Sequence, residues 1–556
     1  MNETQGQYKR SPDKTEAWIL GSGTASLASA LYLVQSAKVP ASKVHILDSH
    51  ISMGQVLHNS GDPINGYDQF AACLPVPVGN PLAELLALVP SVSGLGHTVL
   101  DDIKSAETRR VKQRNSRTRF LVQKNDVLND MPTNSLNLSV QHRLKLVMLV
   151  LKGEKRLGRN QIRDFLPPSF FQSTFWTIWT AHSSKLSFNA ISNFFIKYAY
   201  SRFGFQPWHS AIEFRRALCQ HLSEFHSLSI LGCLDITGYY QNESIYLPTF
   251  LHLERLGVDF RFDTKIMDIG TTIQDGQVTI SQLDMVQNGF RMQQTISKDD
   301  VVFMTLGSTV SGMTRGTNDC PPGRHSLEPH DELDDNWSLW LEIGSWSHVF
   351  GNPYNFCTRE SESILESFTI TTADSSLIEY IDLHAHNVTE AGTFISFQES
   401  SWKLSCCIPT QPVFSQQPKS IRIFWGFALF PRRKGNYVEK PMYDCSGAEI
   451  AIEVLGHLHF SSPTLHTMTI PRVMPRMSAM LLVRSLSDRP PVIPQNTSNL
   501  GLIGQFAELP HFSCVDTSYG VRTAQVAVSQ LMGIDMHYVR ERKPSILDLL
   551  RILLWK

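Results

Sequence analysis

The sequence predicts an α/β protein built around a Rossmann-like domain, and three segments carry that prediction. The apolar run 17–20 leads into a Gly-Ser-Gly turn and a helix of small and apolar residues, and a second apolar run, 44–47, ends at Asp48. A third apolar run, 301–306, again ends at a glycine. Strand, glycine turn, helix and strand in this order are typical of the first βαβ unit of a dinucleotide-binding domain.

The residues of the glycine turn suit a diphosphate. Gly21 allows the tight turn, Gly23 lets the backbone approach a pyrophosphate, and Ser26 replaces a third glycine by another small residue. The N–H groups at the start of the helix would point at that pyrophosphate. Asp48, about 25 residues after Gly23, stands where a ribose hydroxyl would be held. The alternative is a βα turn that binds nothing.

Length and composition predict an ordered chain of two or three closely packed domains. It has 556 residues, of which 42% are hydrophobic and 18% charged, with a net charge of −1. This balance gives no bulk attraction to nucleic acid, so no nucleic-acid partner is predicted. The nine cysteines are scattered without metal-ligand spacing, so no metal site is predicted, and they suit a reducing, cytoplasmic compartment. We expect neither a secretory signal nor a membrane span.

The order of segments predicts a cofactor domain that is interrupted by a substrate domain. A strand at 301–306 returns the chain to the first domain, and a strand at 499–503 followed by a helix over 519–531 closes the cofactor site. Residues 101–165 read as surface helices or long connections. The predicted parts are a flexible leader (1–16), the first part of the cofactor domain (17–165), an aromatic helical segment (166–255), return strands (256–310), a mixed α/β substrate domain (311–485), a closing strand and helix (486–535) and a C-terminal amphipathic tail (536–556).

The sequence allows two interpretations for each of two segments. The aromatic residues between Phe170 and Trp208 form either a buried helix pair or the wall of an apolar ligand cavity. The tail, which ends in Trp555 and Lys556, docks either on the protein itself or in a membrane interface.

Several long and unusual motifs are similar to those of the oleate hydratases, also called myosin-cross-reactive antigens, and they follow the family order over about residues 17–535. They are Pro-Ser-Phe-Phe (168–171), Phe-Gln-Pro-Trp-His-Ser-Ala-Ile-Glu-Phe-Arg-Arg (205–216), Tyr-Tyr-Gln-Asn-Glu-Ser (239–244), Asp-Asn-Trp-Ser-Leu-Trp (335–340), Phe-Gly-Asn-Pro (350–353), Phe-Trp-Gly-Phe-Ala-Leu-Phe-Pro (424–431), Gly-Asn-Tyr-Val-Glu-Lys-Pro-Met (435–442), Asp-Arg-Pro-Pro-Val-Ile-Pro (488–494), Ile-Gly-Gln-Phe-Ala-Glu (503–508) and Tyr-Gly-Val-Arg-Thr-Ala-Gln (519–525).

The resemblance implies a flavoprotein that binds FAD and adds water across the cis double bond of a long-chain unsaturated fatty acid. It also implies a homodimer that meets membranes through its C-terminal segment. Together with the glycine turns, it predicts that FAD is bound by Gly21, Gly23, Ser26, Asp48, Gly54, Gly307, Ser308, Gly504 and Gln505.

In the family, a tyrosine protonates one alkene carbon and a glutamate orients or deprotonates the attacking water. Tyr239 matches the tyrosine, whereas Leu74 stands at the position of the glutamate. Leucine cannot orient or deprotonate water. Asp68, Glu84 and His58 are nearby in sequence as replacements, but none has the glutamate's register.

The chain departs from the family pattern elsewhere too. Ala71 and Ala72 replace two glycines, His58 and Asn59 end the preceding glycine loop, and Leu306 replaces an asparagine before Gly307. Residues 181–201 form an insertion, either a lid of this lineage or translated intron sequence.

The leading hypothesis is therefore an FAD-bound fatty acid hydratase with Tyr239 as the proton donor. An FAD-dependent double-bond isomerase, or a hydratase of another unsaturated chain, is the first alternative, because loss of the water base with retention of the proton donor suits isomerisation. A catalytically inactive fatty-acid-binding protein is the second, and Leu74 favours it.

Overall fold

The computed structural model describes residues 9–51, 60–68, 81–92, 96–112, 119–125, 127–130, 137–181, 204–221, 242–323, 333–384, 393–409, 411–414, 416–461, 466–515, 518–536 and 544–554. Within these ranges the α-helices are α1 (Thr24–Gln35), α2 (Leu82–Ala87), α3 (Val99–Lys112), α4 (Val140–Leu151), α5 (Glu154–Leu157), α6 (Thr174–Ala181), α7 (Ala211–His221), α8 (Leu247–Leu256), α9 (Asp335–Trp346), α10 (Tyr354–Cys357), α11 (Glu360–Ser363), α12 (Ser376–His384), α13 (Gly447–Leu458), α14 (Ser518–Met532) and α15 (Ile546–Leu554).

The strands of the same ranges are β1 (Ala17–Leu20), β2 (Val44–Leu47), β3 (Ser60–Asp62), β4 (Gly66–Asp68), β5 (Arg119–Lys124), β6 (Val127–Asp130), β7 (Asp259–Arg261), β8 (Thr264–Gln274), β9 (Gln277–Gln287), β10 (Phe290–Thr295), β11 (Val301–Thr305), β12 (Thr314–Arg315), β13 (Leu365–Thr372), β14 (Thr393–Phe397), β15 (Leu404–Ile408), β16 (Arg422–Ala428), β17 (Thr467–Met474) and β18 (Leu500–Ile503). A single π turn, Asn242–Tyr246, leads directly into α8.

A parallel sheet forms the centre of the molecule. Its described strands lie in the order β18-β11-β1-β2-β7, and every neighbouring pair is parallel. All four residues of β1 are buried, as expected for a strand covered on both faces. Helices α1 and α14 pack together beside the sheet, and Gly520 lets α14 approach Ala25. The fold is thus α/β and Rossmann-like, as the sequence predicts.

The central strand lies where the chain changes direction across this sheet. From β1 the chain passes through α1 to β2 on one side, whereas β11 and β18 add on the other side. Ligands of open parallel sheets bind outside the carboxyl ends of the strands at such a point. The Gly21 and Gly504 turns and Asp48 directly follow β1, β18 and β2, and Gly307 follows β11 by one residue.

A second sheet contains strands that the sequence analysis missed. Its described order is β12-β17-β13-β16-β15-β14-β5-β6, antiparallel except for the β14–β5 pair. The interpretation of 101–165 as helices or long connections was therefore wrong for 119–124 and 127–130. These residues form the antiparallel strands β5 and β6, and the parallel partner of β5, β14, follows much later in the chain. Local patterning cannot show such a pairing. The predicted domain boundaries stay predictions.

Two large apolar cores hold these layers. The first surrounds the parallel sheet and extends to Trp425 and Phe427 on one face of the second sheet. The second lies on the other face, under α12 and α13, and includes Phe368 and Ile370 of β13. The aromatic segment belongs to the first core, where Phe170, Phe175 and Trp176 pack on one another. For these described rings the buried-core interpretation holds.

The predicted tail helix is present as α15. Ile552 is fully buried, whereas Ile546 is 78% and Leu554 75% exposed. Helix α15 packs against α4, where the Arg143 guanidinium donates to the Leu553 carbonyl at 3.2 Å. None of the described helices is both long enough and apolar enough to cross a membrane.

Candidate functional site

The amino end of α1 is an open, uncapped helix terminus. Gly23 is the N-cap and, among the described residues, its position receives no side-chain cap hydrogen bond and no described atom lies within 4 Å of where its Cβ would be. Gly21 has a φ of +98°, which favours glycine. The N–H groups that the first turn of a helix leaves unpaired therefore lie beside a residue that has no side chain and that no described atom crowds. This is the arrangement that a diphosphate requires.

Asp48 lies at the carboxyl end of β2, next to the glycine turn, but much of its hydrogen-bonding capacity is used. Ser22 Oγ donates to Asp48 Oδ2 at 2.6 Å. The His50 backbone N–H and Nδ1 both donate to Asp48 Oδ1, at 2.8 and 2.5 Å. A carboxylate accepts about four hydrogen bonds, so the described residues leave about one acceptor site of Asp48 for a ribose hydroxyl. The predicted role of Asp48 toward ribose stays a prediction.

His50 joins this carboxylate to two further acids. Its hydrogen bond to Asp48 raises the pKa of His50 despite burial, and the charges of Asp334 and Asp335 add to the rise. Burial opposes ionisation of Asp48, but the hydrogen bonds from His50 and Ser22 outweigh it and lower the pKa of Asp48. Burial raises the pKa of Asp334 to about 6. Three acids, Asp48, Asp334 and Asp335, thus surround His50 at this edge of the sheet.

Thr305, at the end of β11, is the contact point of three predicted site residues. Ser26 Oγ lies 3.0 Å from Thr305 Oγ1, and this bond ties α1 to the strand. A Cβ on Gly21 would lie 3.4 Å from the Thr305 hydroxyl, and one on Gly504 would lie 3.3 Å from its methyl group. Small residues at these three positions let the strand ends approach one another. Sequence analysis missed Thr305. The available signal was its position at the end of an apolar run, shortly before Gly307.

Gly307 and Ser308 serve the packing of α9. Gly307 has a φ of +57°, and a Cβ there would lie 2.9 Å from the Trp337 ring. Trp337 Nε1 donates to the Ser308 carbonyl at 2.8 Å, and its ring stacks on Trp340. The glycine therefore has a structural reason besides any contact with a cofactor.

The closing turn after β18 is held by α14. Gly504, with a φ of +96°, donates its N–H to Thr523 Oγ1 at 2.9 Å. The Gln505 side-chain amide donates to the Cys514 carbonyl at 3.4 Å. The structure thus brings Gly21, Gly23, Ser26, Asp48, Gly307, Ser308, Gly504 and Gln505 to one end of the parallel sheet.

The predicted proton donor and the glutamate position lie outside the described residues. This holds for Tyr239, Gly54, Leu74 and His58, and for residues 182–201 of the predicted insertion 181–201. Of the possible replacements for the glutamate, Asp68 is buried and forms ion pairs with Arg472 and, at 3.1 Å, with Arg315. Glu84 of α2 accepts from the Gln525 amide at 3.3 Å. Asp68 is thus committed to structural ion pairs.

A buried ion-pair cluster joins α7 to the segment that closes the cofactor domain. Glu213 is fully buried and accepts from Arg484 Nη2 at 2.8 Å and Arg489 Nη1 at 3.3 Å. Glu508 accepts from Arg216 Nη2 at 2.6 Å and Arg484 Nη2 at 2.8 Å. Burial opposes ionisation of Glu213, but the guanidiniums of Arg489, Arg484 and Arg216 outweigh it and lower its pKa to about 2.

Comparison with known proteins gives a family match over most of the chain. The model of the MCRA family matches residues 14–529. The chain is 28% identical over 556 aligned residues to an oleate hydratase of Streptococcus pyogenes serotype M49 (strain NZ131), covering 96% of this chain and 89% of that protein. It is 25% identical to a linoleate hydratase of Lactiplantibacillus plantarum, covering 94% of each.

Similar solved structures are more distant. An oxidoreductase of Methanosarcina mazei is 12% identical with a TM-score of 0.47, and the match covers 92% of this chain and 99% of that one. A fatty acid isomerase of P. acnes that produces CLA is 14% identical with a TM-score of 0.37, and the match covers 82% and 86%. Because both TM-scores are below 0.5, these likenesses support no statement about fold or activity.

Proposed function

This chain belongs to the MCRA family, and from that membership we propose that it is a hydro-lyase that adds water across a double bond of a long-chain unsaturated fatty acid. The resemblance predicted from the sequence motifs is thereby confirmed at the level of the family. The family match over 14–529 is the observation that carries the proposal, and the names of the two hydratase relatives support the substrate class.

We propose FAD as the cofactor. The open, uncapped amino end of α1 at Gly23 fits its diphosphate, and Asp48 retains about one acceptor site for its ribose. Gly21, Ser26 and Gly504 would let the strand ends and α1 close around it. When bound, FAD supplies shape and support to the site, because addition of water changes no net oxidation state.

Hydration needs one proton donor and one water molecule. The Tyr239 phenol gives its proton to one alkene carbon, water adds to the other carbon, and the water's second proton restores the phenol. An isolated alkene is a very weak base, so the donor must be positioned in a site that excludes bulk water. Leu74 cannot take the proton from water, and Asp68 is held by two arginines. Activation of the attacking water is therefore the step for which this chain lacks the group that the family uses.

The direct test is incubation of the purified protein with FAD and oleate or linoleate under reducing conditions, followed by mass spectrometry. We expect a product heavier by one water that is lost in Tyr239→Phe. Tyr380→Phe is the matched control, because the Tyr380 hydroxyl donates to the Leu458 carbonyl in the second core. A shifted double bond without added oxygen would indicate an isomerase, and binding without turnover an inactive lipid-binding protein.

The same assay contains a gain-of-function arm. Leu74→Glu restores the acid that the family places there and is expected to raise turnover by about 10²-fold, the lower end of what a positioned acid or base contributes. Leu74→Gln, which can orient water without deprotonating it, separates the two roles. Unchanged turnover in Leu74→Glu would show that another group of this chain orients or deprotonates the water.

We also propose that the chain meets an anionic lipid surface through the apolar face shared by α4 and α15. Its exposed apolar residues are Val140, Leu144, Met148, Leu151, Ile546, Leu547, Leu550 and Leu554. Lys145 and Arg551 are exposed beside it, whereas the acid of α15, Asp548, is buried. Apolar side chains flanked by cations suit the interface of an anionic membrane, the source of a fatty acid substrate. The homodimer stays a prediction.

Vesicle co-sedimentation tests this surface. Replacing Leu547 and Leu554 together by aspartate is expected to weaken binding to phosphatidylglycerol vesicles by about tenfold or more. The reason is that the surface of two leucine side chains is no longer transferred from water into the membrane interface. Ile452→Asp, at a residue that is 56% exposed on α13, is the matched control. A change in oligomeric mass with unchanged vesicle binding would assign the face to a second copy of the chain instead.

A further inference from the structure

One hydrogen bond connects the candidate diphosphate site to the segment that carries the proposed proton donor. Thr24 is the first residue of α1, directly after Gly23, and its Oγ1 is hydrogen-bonded to the hydroxyl of Tyr246. Tyr246 is the last residue of the π turn Asn242–Tyr246, and this turn begins three residues after Tyr239 in the chain. The two bonded residues are far apart in sequence.

The element that bears Tyr246 is firmly anchored on its other side. The π turn continues into α8, where Thr249 Oγ1 donates to the Ile245 carbonyl at 2.6 Å. Helix α8 packs on α1, and Phe250 packs edge-on against Phe260 of β7 with ring centroids 4.7 Å apart. Single π turns within helices occur frequently at functional sites, because they re-aim the side chains beside them. The Tyr246 hydroxyl therefore contacts α1 from the start of a helix that is itself packed in place.

We infer that Tyr246 is a positioning residue that holds the amino end of α1 against the π turn Asn242–Tyr246 in a geometry suited to FAD. The first turn of α1 contains the N–H groups that would meet the diphosphate of FAD, and the hydrogen bond between Thr24 and Tyr246 fixes that turn. The same bond joins that turn to α8, which continues from the π turn. This inference rests on the proposed function, and it adds a residue that the family motifs do not identify.

A double-mutant cycle of Tyr246→Phe and Thr24→Val tests the inference on flavin binding. We expect each single variant to weaken FAD about three- to tenfold, as the loss of one hydrogen bond does, and the double variant to be no weaker than either one. Thr24→Ser keeps the hydroxyl and is expected to bind FAD within about twofold of the unchanged protein. The readouts are the dissociation constant from flavin fluorescence and the visible spectrum of the bound flavin.

The kinetic split separates positioning from general structural damage. For the hydration reaction at subsaturating FAD, Tyr246→Phe is expected to lower the rate about three- to tenfold while KM for oleate stays nearly constant, and saturating FAD should restore the rate, because the flavin is held less firmly but the acyl chain still binds. Tyr380→Phe, which also removes a hydroxyl bonded to the chain, should change neither kcat nor the affinity for FAD.

The failure of the inference can be told from the failure of the proposed function. If the unchanged protein binds FAD and the single variants bind it equally well, or the effects of the two variants add, the inference is overturned alone. If the unchanged protein binds no FAD, the proposed cofactor and the inference fall together. Tighter binding of FAD by Tyr246→Phe would also overturn it, since the tyrosine would then obstruct the site.

Discussion

Replacing Glu213 by glutamine is expected to destabilise the protein by about 3–5 kcal/mol, the usual consequence of removing one partner from a buried ion pair. Glu213 is fully buried, and Arg216, Arg484 and Arg489 around it are also buried. These three guanidiniums are balanced by the carboxylates of Glu154, Glu213 and Glu508. Glutamine keeps the shape but leaves one positive charge uncompensated away from water.

The loss should appear as a lower thermal midpoint and a lower yield of folded protein. Glu362→Gln is the matched control. Glu362 pairs with Arg359 at 2.6 Å, but its side chain is 33% exposed, so its loss is expected to cost at most about 1 kcal/mol. An equal effect of both substitutions would contradict the view that burial makes the Glu213 cluster critical.

The Glu213 cluster also shows what the sequence could not reveal. Glu213 belongs to a motif that the sequence analysis singled out, but its partners Arg484, Arg489 and Glu508 come from much later in the chain. No spacing rule connects them. The strands and helices of the βαβ unit, by contrast, were predicted from local patterns, because β1, α1 and β2 are consecutive and each has its own periodicity.

The same distinction holds at the candidate site. The turns at Gly21 and Gly504 were predictable, because a glycine after an apolar strand is a local signal. The hydrogen bonds that Ser22 and His50 donate to Asp48 were not predictable, because they depend on how the chain bends after β2. Nor was the meeting of Ser26 with Thr305, which requires the parallel pairing of β1 with β11. Motifs identified the residue types, and only the fold assigned their partners.

Glu366 is a second buried acid, and its substitution is expected to have the opposite effect. It lies on β13 and, on the same face as Phe368 and Ile370, points into the second core. It is fully buried, and neither carboxyl oxygen has a hydrogen-bond partner among the described residues. Burial, reinforced by the charge of Asp444, raises the pKa of Glu366 well above its ordinary value of 4.5. Folding therefore favours the uncharged form of this carboxyl.

Glu366→Met is expected to stabilise the protein by about 1–3 kcal/mol, because it removes an unsatisfied buried polar group and keeps the side-chain length. Thermal unfolding near pH 7 measures the change. Glu439→Gln, at an exposed glutamate, is the control and should leave the midpoint unchanged. A lower midpoint in Glu366→Met would mean that the carboxyl has a partner in solution.

The pH dependence gives the sign of the effect independently. Since the pKa of Glu366 is raised on folding, the unfolded chain loses this proton above about pH 4.5 while the folded protein keeps it. Below that pH, ionisation of Glu366 takes nothing from the free energy of unfolding. As the pH rises toward the folded pKa, the free energy of unfolding falls by roughly 1.4 kcal/mol per pH unit. Glu366→Gln cannot ionise, so its stability advantage over the unchanged protein should grow as the pH rises above about 4.5 toward the raised pKa of Glu366. A constant difference between the two proteins across that range would show that Glu366 is already ionised in the fold, and the unpartnered, neutral carboxyl would then be the wrong description of this core.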